Sequence, residues 1–226
     1  MPLTQHHANL WTLDFPLQVL GVPMGARSTL VRLPSGDLWL HSPVRLGAED
    51  VREINTLGPV RHLVAPNLVH HLFLPAAQKL WPEAKVYAPQ GLEKKRKDTR
   101  IDEQLGETPP DSWQDVLSVV PLRGMPRVKE HVFVHAPSRT AIACDIVFNM
   151  RQPLPMWPKL FMQMNHGYMK FGPTRILRST IAQPEELRPD LDRLLQHDFD
   201  RLTMAHGQVL ETNARQELRE AFAWLK

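Results

Sequence analysis

The sequence predicts an α/β fold, and three of its features carry that prediction. Predicted strands and helices alternate from residue 38 to residue 90, which is the order of layered α/β proteins. A second group of predicted strands lies between residues 118 and 150. The chain has 226 residues, of which 42% are hydrophobic and 23% charged, and this is ordinary globular usage. A single domain of this length can bury a core of two or three layers without staples.

The first part of the chain predicts an alternation of strands with two short helices. "GAEDVREINTLG", residues 47–58, carries acidic residues in its first turn and a glycine at its end, as short helices do. Residues 75–84 predict a second helix. Ser35, Gly36 and Asp37 form a loop of the composition that joins hairpin strands. The predicted strands occupy residues 9–18, 28–34, 38–44, 62–67 and 85–90.

The second part predicts further strands, an irregular segment and two amphipathic helices. Residues 150–173 are crowded with proline and methionine, which favours an inserted loop or a broken helix over one face. In the last helix, Leu218, Phe222 and either Trp224 or Leu225 are expected to turn inward. The predicted strands are 118–124, 130–137, 140–150 and 199–207, and the predicted helices are 183–197 and 213–226.

Composition excludes several classes of protein. Cys144 is the single cysteine, so the chain can form neither an intramolecular disulfide nor a cysteine-rich zinc finger, and a reducing, cytoplasmic location is expected. The sequence shows no signal peptide and no apolar segment long enough for a membrane span. The net charge is +3, with acids and bases interspersed; the basic run at 93–100 predicts a solvated face rather than a nucleic-acid patch.

Four polar residues follow or end predicted strands, where functional groups of α/β proteins collect. They are His70, His71, Asp145 and His206. Each has an ordinary alternative role, such as a helix cap, a hydrogen-bonding carboxylate or a loop residue. Together, three imidazoles and one carboxylate suit Zn²⁺ or Fe²⁺ better than Mg²⁺ or Ca²⁺. Asp145 also stands among apolar residues, where a buried carboxylate requires a partner.

These residues carry a resemblance to the metallo-β-lactamase superfamily and, within it, to an uncharacterised branch, DUF4336, with the signature "APNLVHHLF". The superfamily's first metal motif is H-x-H-x-D-H; in register, His70 stands at its aspartate and His71 at its last histidine. "TAIACDIVF" places Asp145 at the bridging aspartate, and "AHGQVL" places His206 at the final histidine. "LWLHSPV" puts His41 where the superfamily has the aspartate of a D-x-G segment. The resemblance covers nearly the whole chain and implies one domain, residues 1–226, with a four-layer αββα sandwich.

The chain departs from the superfamily pattern at the ligands of one metal. Pro66 and Leu68 occupy the positions of the first two histidines, and "LRGMPRVKEH" keeps Gly124 without a histidine beside it. All three ligands particular to the first metal are therefore missing. The resemblance implies that the second set remains and binds one divalent transition metal, zinc in preference to iron. The implied metal ligands are His70, His71, Asp145 and His206.

Two functions follow from a one-metal site. The first is a metal-dependent hydrolase acting on a small ester-, thioester- or phosphoester-like substrate, with His70 and Asp145 as the expected catalytic residues. Four protein ligands close a tetrahedron, so catalysis would require a fifth position or a loosely held ligand, for which His70 is the candidate. The second function is non-catalytic, with a structural metal and a surface at 150–173 that binds a partner or ligand.

Segment 150–173 is also a candidate lid over the metal, with an apolar wall and with His166 and Tyr168 as polar handles. A lid of this composition would make the substrate partly apolar. An interaction surface or a membrane-proximal helix explains the same composition equally well. The remaining histidines with a possible role beside the metal are His41, His131, His135 and His166; for each, an ordinary hydrogen-bonded histidine is the expectation.

Overall fold

The computed structural model describes residues 2–225, which form two β-sheets packed face to face between two layers of helices. This arrangement confirms the expected α/β class and the four-layer αββα sandwich. No helix among the described residues has the length and apolar character needed to cross a membrane. The predicted C-terminal helix was drawn to residue 226, which lies outside the described residues, as does residue 1 of the single domain expected at 1–226.

The described residues contain fifteen strands and seven α-helices. The strands are β1 (Leu3–His7), β2 (Leu10–Phe15), β3 (Gln18–Val19), β4 (Val22–Pro23), β5 (Ala26–Arg32), β6 (Leu38–His41), β7 (Val60–Val64), β8 (Lys85–Ala88), β9 (Glu103–Gln104), β10 (Leu117–Pro121), β11 (His131–His135), β12 (Thr140–Ile142), β13 (Phe148–Asn149), β14 (Phe171–Gly172) and β15 (Arg201–Thr203). The helices are α1 (Ala48–Leu57), α2 (Leu74–Leu80), α3 (Leu92–Lys95), α4 (Met156–Met164), α5 (Arg175–Arg178), α6 (Pro184–Leu194) and α7 (Ala214–Ala221).

The larger sheet has the order β1-β2-β5-β6-β7-β8-β9 in the described chain. Its first four strands are antiparallel, and β6 to β9 are parallel because α1, α2 and α3 lie in the three crossovers. The smaller sheet has the order β10-β11-β12-β15, with β12 and β15 parallel. The parallel strands of both sheets therefore end at edges where following loops can converge.

Alternation along the strands assigns each side chain to one layer of the core. In β6, Leu38 and Leu40 face the layer of α1 and α2, whereas Trp39 faces the other sheet. In β11, Val132 and Val134 face the layer of α6 and α7, and Phe133 packs between the sheets against Trp39, with ring centroids 4.9 Å apart. Because both faces of each sheet are buried, solvent and ligands reach the sheets at the ends of the strands and at the loops that follow them.

The predicted strand 140–150 is interrupted in the structure. It divides into β12 and β13, and residues 143–147 between them form a loop. The backbone N–H groups of Cys144 and Asp145 donate to the carboxylate of Glu130, at 2.7 Å and 2.9 Å, instead of to a neighbouring strand. A side chain thus replaces the sheet ladder at this point and turns Asp145 out of the sheet.

Other elements differ from the sequence prediction in extent. The sequence does not predict strand β1, whose residues are mostly polar, or the β3–β4 hairpin, whose strands have only two residues each. In segment 150–173 the chain forms helix α4 followed by β14, which pairs with β13. Helix α7 ends at Ala221, and beyond it Leu225 is buried whereas Trp224 is 40% exposed. Leu218, Phe222 and Leu225 are therefore the inward residues of this end of the chain.

Candidate metal centre

Three of the predicted site residues converge where strands of both sheets end. His70 follows β7 of the larger sheet, while Asp145 follows β12 and His206 follows β15 of the smaller sheet. The Nε2 atoms of His70 and His206 lie 3.1 Å and 3.4 Å from Oδ1 of Asp145. The two Nε2 atoms are 3.2 Å apart. Three donor atoms from three loops therefore point at one small volume.

Hydrogen bonds orient the ring of His206. Its Nδ1 donates to the backbone carbonyl of Gly25 at 2.8 Å; the direction is fixed because a carbonyl only accepts. In the neutral ring, Nε2 then carries no proton and can bind a metal, as in metal-binding histidines. In the protonated ring, Nε2–H donates to Asp145 instead. The ring of Phe148 stacks on His206 with centroids 5.1 Å apart. Backbone and ring together leave His206 little freedom to turn.

His70 is held by a second set of contacts. Its Nδ1 lies at hydrogen-bond distance, 3.2 Å, from the hydroxyl of Ser42, which follows β6. Its backbone N–H donates to Oδ1 of Asn67 at 2.6 Å, and the N–H of Val69 donates to the same oxygen at 2.8 Å. Asn67 thus closes the turn between β7 and His70 and fixes where the imidazole begins.

Asn67 also contacts Asp145 directly. Its Nδ2 donates to Oδ2 of Asp145 at 2.8 Å, and it lies 3.5 Å from Oε2 of Glu130. Asn67 and Glu130 are fully buried. One amide side chain therefore links the His70 turn of one sheet to the Asp145 loop of the other. The sequence pattern singles out neither Asn67 nor Glu130; the available signal for the first is an asparagine at the end of the predicted strand 62–67.

Two buried carboxylates lie side by side at this edge. Burial and the charge of Asp145 raise the pKa of Glu130 to about 7. Burial by itself raises the pKa of Asp145, but the charge of His70 and the hydrogen bonds with His206 and His70 hold it well below its usual range. Asp145 is therefore the residue that carries the negative charge toward the imidazoles.

Cys144 is a further potential ligand that the sequence analysis treated only as a free cysteine. Its Sγ and ligand atoms of His70 and Asp145 all lie within 4.8 Å of one another. The thiol is buried and donates to the hydroxyl of Ser42 at 3.7 Å. Burial raises the pKa of Cys144 well above its usual value, and the carboxylates of Asp145 and Glu130 raise it further.

The distances between the three donor atoms fit a tetrahedral metal. Bonds of about 2.0–2.1 Å at tetrahedral angles separate neighbouring ligand atoms by about 3.3 Å. The separations of 3.1, 3.2 and 3.4 Å among His70, Asp145 and His206 lie on either side of that value. Donor atoms this close repel one another unless a proton or a cation lies between them. The residues present therefore fit a bound divalent ion.

His71, the fourth predicted ligand, is not brought into this cluster. Burial lowers the pKa of His71, and the charges of Arg96 and Lys95 lower it further. Its Nδ1 is buried without a hydrogen-bond partner among residues 2–225. The two neighbouring histidines therefore face different surroundings, and His70 rather than His71 meets Asp145 and His206.

Pro66, Leu68 and Gly124, which stand at or beside positions where the resemblance implies ligands of a first metal, have structural roles. Leu68 packs in the core on the side of α1 and α2, and the carbonyl of Pro66 accepts the backbone N–H of His131 at 2.9 Å. Gly124 adopts a left-handed φ of 79°, and its carbonyl accepts the N–H groups of Ala182 and Gln183 before α6. This turn holds the start of a helix.

The four histidines of open role lie outside the cluster. His41 is buried between the sheets against Trp39 and Phe133, and burial and then the charge of His70 lower its pKa to about 3. The remaining three occupy a strand start, a turn and the surface. Nδ1 of His131 donates to the carbonyl of Lys129, that of His135 is 2.7 Å from Oγ of Ser138, and His166 is exposed.

A cavity of about 510 Å³ opens directly onto the cluster. His70, Asp145 and His206 form part of its wall. The rest of the wall is mainly apolar and comes from the β3–β4 hairpin, the loops after β6 and β7, and helix α4. Representative residues are Val22, Val44, Phe73, Phe148, Phe161 and Met162. Segment 150–173 thus contributes Phe161 and Met162 to the wall.

Comparison with solved structures identifies the class of fold. A metallo-β-lactamase from Pontibacter korlensis superposes with a TM-score of 0.68 at 13% identity, over 96% of this chain and 95% of that one. The metallo-β-lactamase FIM-1 from Pseudomonas aeruginosa in its mono-zinc form gives 0.63 at 13% identity, over 98% and 91%. A metal-soaked flavodiiron core, Flv1 from Synechocystis, gives 0.63 at 13% identity, over 96% and 58%. The protein therefore has the metallo-β-lactamase fold.

Sequence comparison assigns the family within that fold. Residues 7–168 match the model of a domain of unknown function, DUF4336, and the chain belongs to this family. No curated protein matches the chain in sequence. The resemblance stated on "APNLVHHLF" is thereby confirmed at the level of superfamily and branch.

Proposed function

We propose that this protein is a metal-dependent hydrolase with one divalent transition metal held by His70, Asp145 and His206. The observation that carries the proposal is the convergence of their three donor atoms, 3.1–3.4 Å apart, on the wall of the cavity. Three protein ligands leave one tetrahedral position free, which distinguishes catalytic from structural zinc sites. With His71 elsewhere, the free position needs no ligand to dissociate.

The chemistry of the donor set favours zinc, since two imidazoles and one carboxylate match a borderline ion. When bound, such an ion polarises a carbonyl or phosphoryl oxygen and makes a coordinated water more acidic. The protein supplies the rest: Gly25 and Ser42 orient the two imidazoles, and Asn67 holds the carboxylate of Asp145. These contacts fix the donor atoms before a substrate arrives.

The cavity indicates the kind of substrate. Its largely apolar wall binds an acyl or alkyl group, while the polar cluster at one side meets the scissile bond. We therefore propose an ester, thioester or phosphoester with an apolar substituent. A volume of about 510 Å³ falls within the range of small-molecule pockets.

Metal content and hydrolysis, measured together, test this proposal. The purified protein is expected to hold one equivalent of metal and to hydrolyse a p-nitrophenyl ester series with a preference for longer acyl groups. His206→Ala should remove metal and activity together, whereas His197→Ala, a half-buried histidine at the end of α6, should keep both. Two equivalents of metal, or turnover that survives in His206→Ala, would contradict the proposal.

The second candidate, a non-catalytic protein with a structural metal, is favoured by the position of Cys144. Were its thiolate a fourth ligand, the site would be closed and the ion structural. Cys144→Ser separates the two. A hydrolase with three ligands keeps its metal and its turnover in this variant, whereas a closed structural site loses metal affinity and thermal stability.

A further inference from the structure

Exposed apolar side chains surround the mouth of the cavity. Leu20 of the β3–β4 hairpin is 85% exposed, and Leu72 and Val69 of the loop after β7 are 59% and 53% exposed. Ile176 of α5 and Trp157 of α4 are 55% and 60% exposed. Four of these five line the cavity, and Trp157 contacts the cavity residue Phe161 with ring centroids 6.2 Å apart. We refer to these five residues as the apolar rim.

The segment that carries Trp157 and Ile176 of the apolar rim has an unusual charge pattern. Residues 146–184 contain five basic residues and no acidic residue. In the rest of the chain, 22 basic residues are outnumbered by 24 acidic ones. The positive charge of the protein is therefore concentrated beside the apolar rim. The five basic residues are Arg151, Lys159, Lys170, Arg175 and Arg178.

These cations lie at or near the surface, and three of them, Arg175, Lys170 and Arg178, lie near His166. All except the half-buried Arg178 are exposed. Lys159 lies over the ring of Tyr168, with 5.7 Å between Nζ and the ring centroid. The charge of Arg175 lowers the pKa of the exposed His166 imidazole. Slight burial and the charges of Lys170 and Arg178 lower it further. A patch of uncompensated positive charge thus adjoins protruding apolar side chains.

We propose that the apolar rim and this basic patch dock the protein on an anionic phospholipid membrane. Protruding apolar side chains flanked by Lys and Arg are the features of proteins that lie on a membrane interface. The apolar side chains come from four separate segments and project outward, so they can enter a lipid surface together. The cavity mouth then faces the bilayer. A second copy of the chain is disfavoured as the occupant, because it would bring five cations against five.

Vesicle co-sedimentation of the full chain tests this docking. The probes are vesicles of phosphatidylcholine alone and vesicles with about one third phosphatidylglycerol. We expect binding to the anionic vesicles only, and weaker binding at high salt. Leu20→Asp and Trp157→Asp should each lower the affinity about tenfold, because a side chain is no longer buried in lipid. Lys159→Glu combined with Arg175→Glu should lower it about 25-fold or more, at about fivefold per cation removed.

Matched controls lie at the opposite end of the strands. Leu80→Asp changes a leucine that is 43% exposed and lies beside the start of β7. Lys79→Glu combined with Lys85→Glu changes the net charge by the same amount as Lys159→Glu combined with Arg175→Glu, and both lysines are exposed. These variants should bind anionic vesicles as the unaltered chain does. Absence of vesicle binding overturns the proposal, and so does binding that falls equally in the controls. A dimer that Leu20→Asp dissociates, without vesicle binding, would assign the surface to a second copy and overturn it too.

Discussion

Asn67 is the residue that connects the two halves of the proposed metal site. Its carbonyl oxygen accepts the backbone N–H groups of Val69 and His70, and its amide donates to Asp145. The side chain is fully buried, so none of these groups has water as a substitute partner. Partners of this kind orient metal ligands, and their loss typically weakens metal binding.

We expect Asn67→Ala to lower metal affinity about 10- to 100-fold, because both His70 and Asp145 lose an orienting bond. Affinity measured by competition with a coloured chelator checks this. Asn55→Ala is the matched control, since Asn55 accepts from the indole N–H of Trp81 on the helical side of the larger sheet. Unaltered affinity in Asn67→Ala would show that the turn forms without the side chain.

At the scale of elements, the crossing between the turn after β15 and strand β13 determines where His206 lies. Gly207 has a φ of 93°, and a Cβ placed there would overlap the carbonyl oxygen of Asn149. That carbonyl accepts the N–H of Gln208 at 2.9 Å, so it cannot move away freely. The close approach of two backbones therefore requires glycine at this position.

Gly207→Ala is expected to lower the free energy of unfolding by about 3 kcal/mol, from the left-handed conformation and the steric overlap together. Gly36→Ala is the control: Gly36 also has a positive φ, 88°, but nothing lies within 4 Å of a Cβ there. Its cost should be about 1 kcal/mol. Urea unfolding of the two variants measures both values. Equal losses would mean that the backbone at Asn149 shifts to admit the added Cβ without loss of stability.

At the scale of the whole molecule, the proposed metal joins the two sheets. His70 extends from the larger sheet, and Asp145 and His206 extend from the smaller one. A ligand that binds the folded state alone stabilises it by about 2.7 kcal/mol at 100 times its dissociation constant. The apolar core supplies most of the remaining stability, and Trp39, Trp113 and Phe133 belong to its layer between the sheets.

Removal of metal with a chelator should therefore lower the melting temperature by about 5–10 °C. Addition of zinc should restore the original value, and scanning calorimetry measures both. His206→Ala should melt at one temperature with or without chelator, because its site no longer holds the ion. A chelator shift of the same size in His206→Ala would place the stabilising metal elsewhere.

Acid stability is a second property of the whole molecule, and it depends on buried histidines distant from the metal centre. Burial lowers the pKa of His62 and of His135 from 6.5 to about 4. At His62 the charge of Asp37 opposes this shift and that of Lys85 adds to it, and at His135 the charge of His7 adds to it. His62 contacts the Tyr87 hydroxyl, and His135 contacts Ser138. Since the folded pKa is the lower one, the unfolded chain binds more protons between pH 6.5 and 4. The contribution of the two neutral histidines to the free energy of unfolding is complete above pH 6.5 and is lost as the pH falls toward 4.

For each of these histidines, lowering the pH from 7 to 5 should reduce the free energy of unfolding by about 2 kcal/mol. Urea unfolding measures this loss. The measurement is made with chelator present, because protons would otherwise compete with a bound metal for its ligands and add a separate pH dependence. His62→Gln should lose about 2 kcal/mol less than the unaltered chain over the same interval. An identical pH dependence in the two proteins would assign the acid sensitivity to other groups.

The order of elements was predictable because it rests on local patterns. Apolar alternation and turn residues give β5, β6 and their hairpin, and acidic and glycine boundaries give α1. The prediction failed where a distant side chain replaces a local bond: Glu130 binds the N–H groups of Cys144 and Asp145 and ends the strand after Ile142. No pattern within residues 140–150 encodes that contact.

The sequence by itself determined the α/β class, because this depends on periodicity and on the order of elements. The superfamily and the expected donor residues follow from the resemblance that the motifs around His70, Asp145 and His206 carry. Only the tertiary structure decided which neighbouring histidine meets Asp145, and that Asn67 and Glu130 hold the loops in place. The reason is physical. His70 and His71 are chemically identical and adjacent, so the choice between them depends on how the Asn67 turn directs each side chain. The amide of Asn67 is in turn held by Asp145, 78 residues away along the chain.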